Sequence, residues 1–312
     1  MTYTHKILQL KEQLNACILG QEKLIDMVLI GIFAQGHILL ESVPGLAKTT
    51  LAKTLAKSLQ LNFKRIQFTP DLLPSDILGA QVYNPKENDL QTRFGPIFTN
   101  ILLADEINRA PAKVQSALLE AMQERQVTIG EDSYLLQNPF IVIATSNPIE
   151  SEGVYALPEA QLDRFMLTIP LSYPDSASEV QILQNKHHNK EILPILDAYE
   201  LESIKQAIQA MYCDESLYAY IVALSNATRQ NILIENVQAL RLGVSPRASL
   251  DLSLAAKTYA FLHDKDYVSP SDVLEVLPFV FAHRILPSFE ALAMGIDSQK
   301  ILDSIIARVP IP

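Results

Sequence analysis

Short apolar runs punctuate the first half of the chain. Ile38-Leu39-Leu40, Ile101-Leu102-Leu103-Ala104, Phe140-Ile141-Val142-Ile143-Ala144 and Met166-Leu167-Thr168-Ile169 are each too short for a helix. Continuous apolarity suits strands covered on both faces, as in a parallel sheet. Asn62 to Phe68 reads as a further strand, broken by Thr69-Pro70-Asp71. Helical spacing fills the intervals. Ile7, Leu10, Leu14 and Ile18, then Leu24, Met27, Val28 and Ile32, predict two helices over residues 4–35. Leu51, Leu55 and Leu59 predict a helix from Lys48, and Val114, Leu118 and Met122 predict one that Pro111 opens at its first turn.

Two segments alternate differently. Val82-Tyr83 and Leu90 to Phe94 flank a polar tip, and Gln126 to Ile129 and Ser133 to Leu136 flank Gly130-Glu131-Asp132. Both predict hairpins. Beyond Tyr173-Pro174-Asp175 strand signals fade. Leu201, Ile204, Ile208 and Met211 form one helical face, and Ser245-Pro246 and Ser269-Pro270 are helix starts with a capping serine and a first-turn proline. The expected fold is α/β, with a core of residues 1–190 built on a parallel sheet and a smaller all-α domain of residues 191–312.

Composition narrows this. A chain of 312 residues allows one or two domains, and 48% hydrophobic against 19% charged residues describes a globular protein. A net charge of -10 argues against a general nucleic-acid binder. Cys17 and Cys213 have no metal spacing and read as buried thiols of a reducing compartment. No signal peptide or membrane-spanning run stands out, so a cytoplasmic location without membrane insertion is expected. The six histidines show no ligand spacing; His187-His188 reads as exposed and His283-Arg284 as a solvated helix face.

The candidate chemistry lies where strands end. Ser42-Val43-Pro44-Gly45-Leu46-Ala47 follows the first strand, and Lys48-Thr49-Thr50 opens a helix. Strand, small-residue loop, Lys-Thr and helix is the layout of a phosphate-binding loop, although Ser42 and Ala47 replace the two glycines of the strict pattern. Amide groups at the helix start favour an anion, Lys48 would reach phosphates, and the Thr49 hydroxyl would ligate Mg²⁺. Asp105 and Glu106 end the strand Ile101–Ala104. In open α/β sheets ligands bind at that end. Asp105 would hold the Mg²⁺ shell and Glu106 would polarise an attacking water. Asn147, at the end of the strand from Phe140, would orient that water, although Asn-Pro is also a plain turn signal. Arg164 would reach a phosphate of a neighbouring subunit. Arg247, which opposes the dipole of the helix it starts, would be explained by a bound phosphate.

SVPGLAKT (42–49), NILLADEINRAPAKVQSALLEAMQERQV (100–127), PFIVIATSNPIESEGVYALPEAQLDRF (139–165) and GVSPRASLDL (243–252) together resemble the MoxR family of AAA+ ATPases over nearly the whole chain. The resemblance implies a P-loop AAA+ αβα nucleotide-binding domain followed by an all-α lid. It puts Lys48 and Thr49 in Walker A, Asp105 and Glu106 in Walker B, and makes Asn147 sensor 1, Arg164 the arginine finger and Arg247 sensor 2. The 82–94 insert resembles the helix-2 insert and 126–136 the pre-sensor-1 hairpin. It implies ATP and Mg²⁺ at the interfaces of a hexameric ring, and a chaperone-like role on a protein client, often one carrying a von Willebrand factor A domain. The family usually has Gly where Ser42 stands. A positive φ there would cost Ser on the order of 1 kcal/mol, so a scaffold that binds ATP without hydrolysing it is one alternative. A DNA-directed motor is the other, and the acidic balance opposes it.

Overall fold

The computed structural model describes residues 3–43, 45–147, 153–184, 191–230 and 232–312. Its centre is a five-stranded parallel sheet. In chain order the core elements are α1 (Thr4–Cys17), α2 (Glu22–Phe33), β1 (Ile38–Glu41), α3 (Lys48–Ser58), β2 (Phe63–Gln67), α4 (Pro74–Leu78), β3 (Gly79–Asn84), β4 (Asp89–Phe94), β5 (Ile101–Asp105), α5 (Ala112–Glu124), β6 (Gln126–Ile129), β7 (Asp132–Leu135), β8 (Ile141–Ser146), α6 (Glu159–Leu162), β9 (Leu167–Pro170) and α7 (Ser176–Gln184). The sheet order is β2-β5-β8-β1-β9. The apolar runs become strands because both faces are covered: Ile38, Leu40, Leu103 and Ile143 lie in the cluster with α1, α2 and α3, while Leu39, Leu102, Val142 and Ala144 pack with α4 and α5. Pro111 caps α5 from outside, one position before its expected place in the first turn.

The two hairpins are β3–β4 and β6–β7, and they lean on each other. Thr92 Oγ1 and Tyr134 Oη lie 3.1 Å apart, and Phe94 stacks edge-on against Tyr134 and Phe98. Gly95 closes the first hairpin where nothing larger fits, since a Cβ there would lie 2.1 Å from the Ile77 carbonyl oxygen. Val82, Tyr83, Leu90 and Leu135 stay exposed.

The C-terminal region contains α8 (Ala198–Ala210), α9 (Glu215–Ala227), β10 (Leu233–Ile234), β11 (Val237–Gln238), β12 (Leu240–Leu242), α10 (Pro246–Leu262), α11 (Pro270–Phe281), β13 (Leu286–Pro287), α12 (Phe289–Ala293) and α13 (Ser298–Arg308). It is helical, with two tiny antiparallel ribbons, β10–β11 and β12–β13, that carry no alternating pattern long enough to read. α10 is its central helix, packed on α8, α9, α11 and the core helix α2, while α11 covers the edge strand β9. Ser245 caps α10, its hydroxyl accepting from the Ala248 amide, and Pro246 takes the first turn as expected.

Two expectations about single residues change. His283-Arg284 is not a solvated face: the Arg284 side chain is 2% exposed, and the half-buried His283 ring lies with its Nε2 3.1 Å from the Phe165 carbonyl. Cys17 and Cys213 are free thiols but only partly buried. His187-His188 lies outside the described residues. Among the described residues no helix is long and apolar enough to cross a membrane.

Burial of two histidines predicts an acid-labile fold. His37, just before β1, accepts the Val142 amide at Nδ1 (3.0 Å), so its Nε2 carries the proton and donates to the Met122 carbonyl (3.1 Å). Burial first, then the Arg125 charge, lowers its pKa to about 3, and burial lowers His283 to about 3 as well. An unfolded histidine titrates near 6.5. Between those values the unfolded chain binds the extra proton, so stability present above about pH 6.5 is lost as pH falls. Each histidine contributes up to about 1.4 kcal/mol per pH unit. Denaturant unfolding at pH 7, 6 and 5 is expected to show this slope, flattened in His37→Gln; an unchanged slope would assign the acid lability elsewhere.

Candidate active site

The loop after β1 is shaped by its backbone. Ser42 continues the sheet, donating its amide to the Ser146 carbonyl at 3.0 Å, and does not take a positive φ. The glycine usual at this position is therefore not required by the backbone, and the strain argument against Ser42 falls. Its hydroxyl is buried and has no hydrogen-bond partner among the described residues. Val43 and Leu46 are half-buried, Gly45 and Ala47 are exposed, and Pro44 lies outside the described residues. The left-handed positions are Gly45 (φ 90°) and Ala47 (φ 53°). Ala47 is the residue that turns the chain into α3, so Lys48, Thr49 and Thr50 form the first turn of a helix with three open amides. Lys48 has no ion pair or hydrogen bond among the described residues.

Two strands away lie the acids, with β8 between them and the loop strand. Asp105 ends β5 and is 8% exposed. Its Oδ1 accepts the Thr145 hydroxyl at 2.7 Å, and its Oδ2 accepts Nε and Nη2 of Arg65, on β2, at 3.1 and 2.6 Å. Glu106 follows in the left-handed region (φ 56°), an unusual conformation for a side chain of this size. Its amide donates to Thr145 Oγ1 at 2.8 Å. Gln67 Nε2 donates to its Oε2 at 2.8 Å, and Arg109 Nε lies 2.9 Å from the same oxygen. Arg65 Nη2 also donates to Gln67 Oε1 at 2.9 Å, so one polar chain links the two acids. Asn147 is 7% exposed, at the end of β8 between loop and acids. The sheet thus brings Lys48, Thr49, Asp105, Glu106 and Asn147 to one edge. Neighbouring strands stand about 4.8 Å apart, so loop and acids flank a space roughly 10 Å across.

Sequence reasoning missed Thr145, Arg65, Gln67 and Arg109. The alternation of Arg65 and Gln67 on one face of β2 was the available signal; Thr145 looked only like the polar end of a strand. The donor set beside the loop, the Thr49 hydroxyl and the Asp105 carboxylate, is hard oxygen, which suits Mg²⁺. Among the described residues no group of three or more His, Cys, Asp and Glu could hold a metal unaided. Such a site would draw further ligands from phosphate oxygens.

The two arginines are elsewhere. Arg164 and Arg247 line a common pocket of about 210 Å³ with Gly36, His37, Gln123 and Asp251. Arg164 Nε donates to Gln123 Oε1 at 3.2 Å. His37 precedes β1 and its carbonyl accepts the Met166 amide at 2.9 Å, so this pocket lies at the amino end of the strands. The loop lies at the carboxyl end, roughly 16 Å away at the rise of a strand. Neither arginine reaches the P-loop of its own chain.

A parallel sheet in this order, with a phosphate-type loop after β1, paired acids after β5 and an amide after the strand between them, defines a P-loop ATPase of the AAA type. Comparison with known proteins agrees. Residues 37–167 match the family of ATPases associated with various cellular activities (AAA), and residues 235–305 match the AAA lid domain. The chain is 44% identical to YeaC of Bacillus subtilis over 304 residues, covering 96% of this chain and 93% of YeaC. It is 42% identical to Chaperone MoxR1 of Mycobacterium tuberculosis, covering 96% of this chain and 81% of MoxR1. A solved structure of a candidate ATPase from Cytophaga hutchinsonii superposes with a TM-score of 0.93 at 45% identity, over 100% of this chain and 96% of that one. The chain belongs to the MoxR family of AAA+ ATPases.

Proposed function

We propose that the chain hydrolyses ATP with Mg²⁺ at sites shared between subunits of a ring, a hexamer by family resemblance, and uses the cycle to remodel or mature a protein client. The observation that carries the shared site is the separation just described. Arg164 and Arg247 share one pocket at the end of the sheet away from their own P-loop. Two cations converging on a pocket with no nucleotide of its own are accounted for if a neighbouring subunit's phosphates dock there. The core of residues 1–190 then supplies the P-loop and acids, and the lid of residues 191–312 supplies Arg247.

Roles follow from chemistry. Amides from Gly45 to Thr49 and the dipole of α3 hold phosphates, with the Lys48 ammonium beside them. Thr49 and Asp105 would hold Mg²⁺, which when bound neutralises phosphate charge. Glu106 takes a proton from, and orients, the attacking water, with Asn147 as second orienter. Arg65 and Gln67, on β2, hold Asp105 Oδ2 and Glu106 Oε2 from the side away from the loop, while the Thr145 hydroxyl, on β8, holds Asp105 Oδ1 and the Glu106 amide from the side nearer it.

The client reading is supported by the chaperone designation of the Mycobacterium relative. The exposed Val82, Tyr83, Leu90 and Leu135 at the two hairpins offer apolar protein-binding surface. A von Willebrand factor A domain protein is the class of client proposed, in the cytoplasm. The shared site is tested by mixing two inactive variants, Lys48→Ala and Arg164→Ala. Mixed assemblies pair an intact P-loop with an intact arginine, so turnover is expected to reappear; a mixture as inactive as its parts refutes shared sites.

A further inference from the structure

Arg284, between α11 and β13, makes contacts that surround Arg164. Its Nη2 donates to the carbonyl of Asp163 at 3.0 Å and to that of Phe165 at 2.9 Å, the residues immediately before and after Arg164. Nη2 also donates to Asp251 Oδ2 at 2.5 Å, Nη1 donates to the Val280 carbonyl at 3.0 Å, and Nε lies 2.9 Å from Asp163 Oδ1. The Ser245 hydroxyl sits 2.9 Å from both carboxylate oxygens of Asp163. Asp163 is thus held twice from the lid, by the cap of α10 and by Arg284. Asp251, one turn beyond Arg247 on α10, lines the pocket that Arg164 and Arg247 share. The lid therefore grips the backbone on both sides of Arg164, and the same helix carries the second arginine.

A buried ion pair is weak ground for stability, because an apolar side chain of similar volume often does as well. What an apolar residue could not do is fix the direction of two particular carbonyls. A planar guanidinium with its donors in a rigid fork does that, and a lysine does not. We propose that Arg284 is a positioning residue for ATP hydrolysis: by clamping Asp163 and Phe165 it sets the direction in which Arg164 leaves the surface toward the neighbouring subunit, and it makes that direction depend on the docking of the lid. The proposal rests on the shared-site reading above.

The test uses full-length Arg284→Lys, which keeps the charge and loses the fork. Nucleotide affinity, read by titration of a fluorescent ATP analogue, is expected to stay at the wild-type value because the P-loop is untouched. The turnover number is expected to fall on the order of 10²-fold, the scale of an ångström-level misplacement of a catalytic group, with KM unchanged. Mixing Arg284→Lys with Lys48→Ala is expected to restore turnover, since the Lys48→Ala subunit contributes a correctly held Arg164. If Arg284→Lys fails to melt cooperatively, Asp251→Asn, which removes one carboxylate from the same guanidinium, is measured in its place with the same expectations. Arg164→Ala mixed with Lys48→Ala runs alongside. No recovery in that control overturns the shared site itself. Recovery in the control together with wild-type turnover in Arg284→Lys, or with loss of nucleotide affinity in step with turnover, overturns the positioning role and leaves Arg284 a structural staple.

Discussion

Arg164→Ala is expected to bind ATP as well as the wild type and to hydrolyse it about 10³-fold or more slowly. The scale is that of an arginine stabilising transition-state charge in nucleotide hydrolases. Binding survives because Arg164 sits at the amino end of the sheet, next to Gln123 and away from the P-loop of its own chain. Removing it also leaves the fold's own pairing intact: Asp163 is engaged by Arg284 and Ser245, not by Arg164. Melting temperature should therefore barely move while turnover collapses. A variant that loses ATP affinity in parallel would return Arg164 to a role at its own site.

Glu106→Gln is the second large effect. The substitution keeps shape and hydrogen-bonding reach but removes the carboxylate proposed to take a proton from the attacking water, a role worth about 10²–10⁴-fold. The left-handed backbone at Glu106, pinned by the Thr145 hydroxyl, aims the side chain regardless of its charge. Gln67 and Arg109 both donate to the carboxylate; a glutamine oxygen still accepts from them, while its amide nitrogen cannot. Single-turnover phosphate release is expected to fall by that factor with ATP still bound, so the variant should trap the ATP state. Equal rates in wild type and variant would remove Glu106 from the chemistry.

The parts of this site that could be read from sequence are those where local pattern decides structure. Continuous apolar runs with a polar residue at the carboxyl end placed the P-loop, the paired acids and Asn147 on one sheet edge, since a strand buried on both faces admits little else. Ser245-Pro246 marked the start of α10 through capping chemistry. What escaped depends on how distant elements meet. Arg65 and Gln67 read only as part of the strand Asn62 to Phe68; pairing with β5 is what brings Asp105 and Glu106 beside them. Arg284 looked like a surface residue because its burial comes from lid docking, and no periodicity along α11 reports which end is covered. That Arg247 lies with Arg164, away from its own loop, is likewise a property of where the lid sits. Ser42 shows the reverse: a departure from the P-loop pattern that suggested strain lies at a position where the chain does not need a positive φ.

Phosphate release from Mg-ATP, measured per subunit over a wide range of protein concentration, tests the shared site most directly. If, as proposed, each P-loop lacks an arginine until a neighbour supplies Arg164, the rate per subunit is expected to climb steeply with concentration and then level off, and Arg164→Ala should stay flat near zero throughout. A wild-type rate per subunit that is the same at every concentration, down to dilutions where the protein is monomeric by light scattering, would contradict the account.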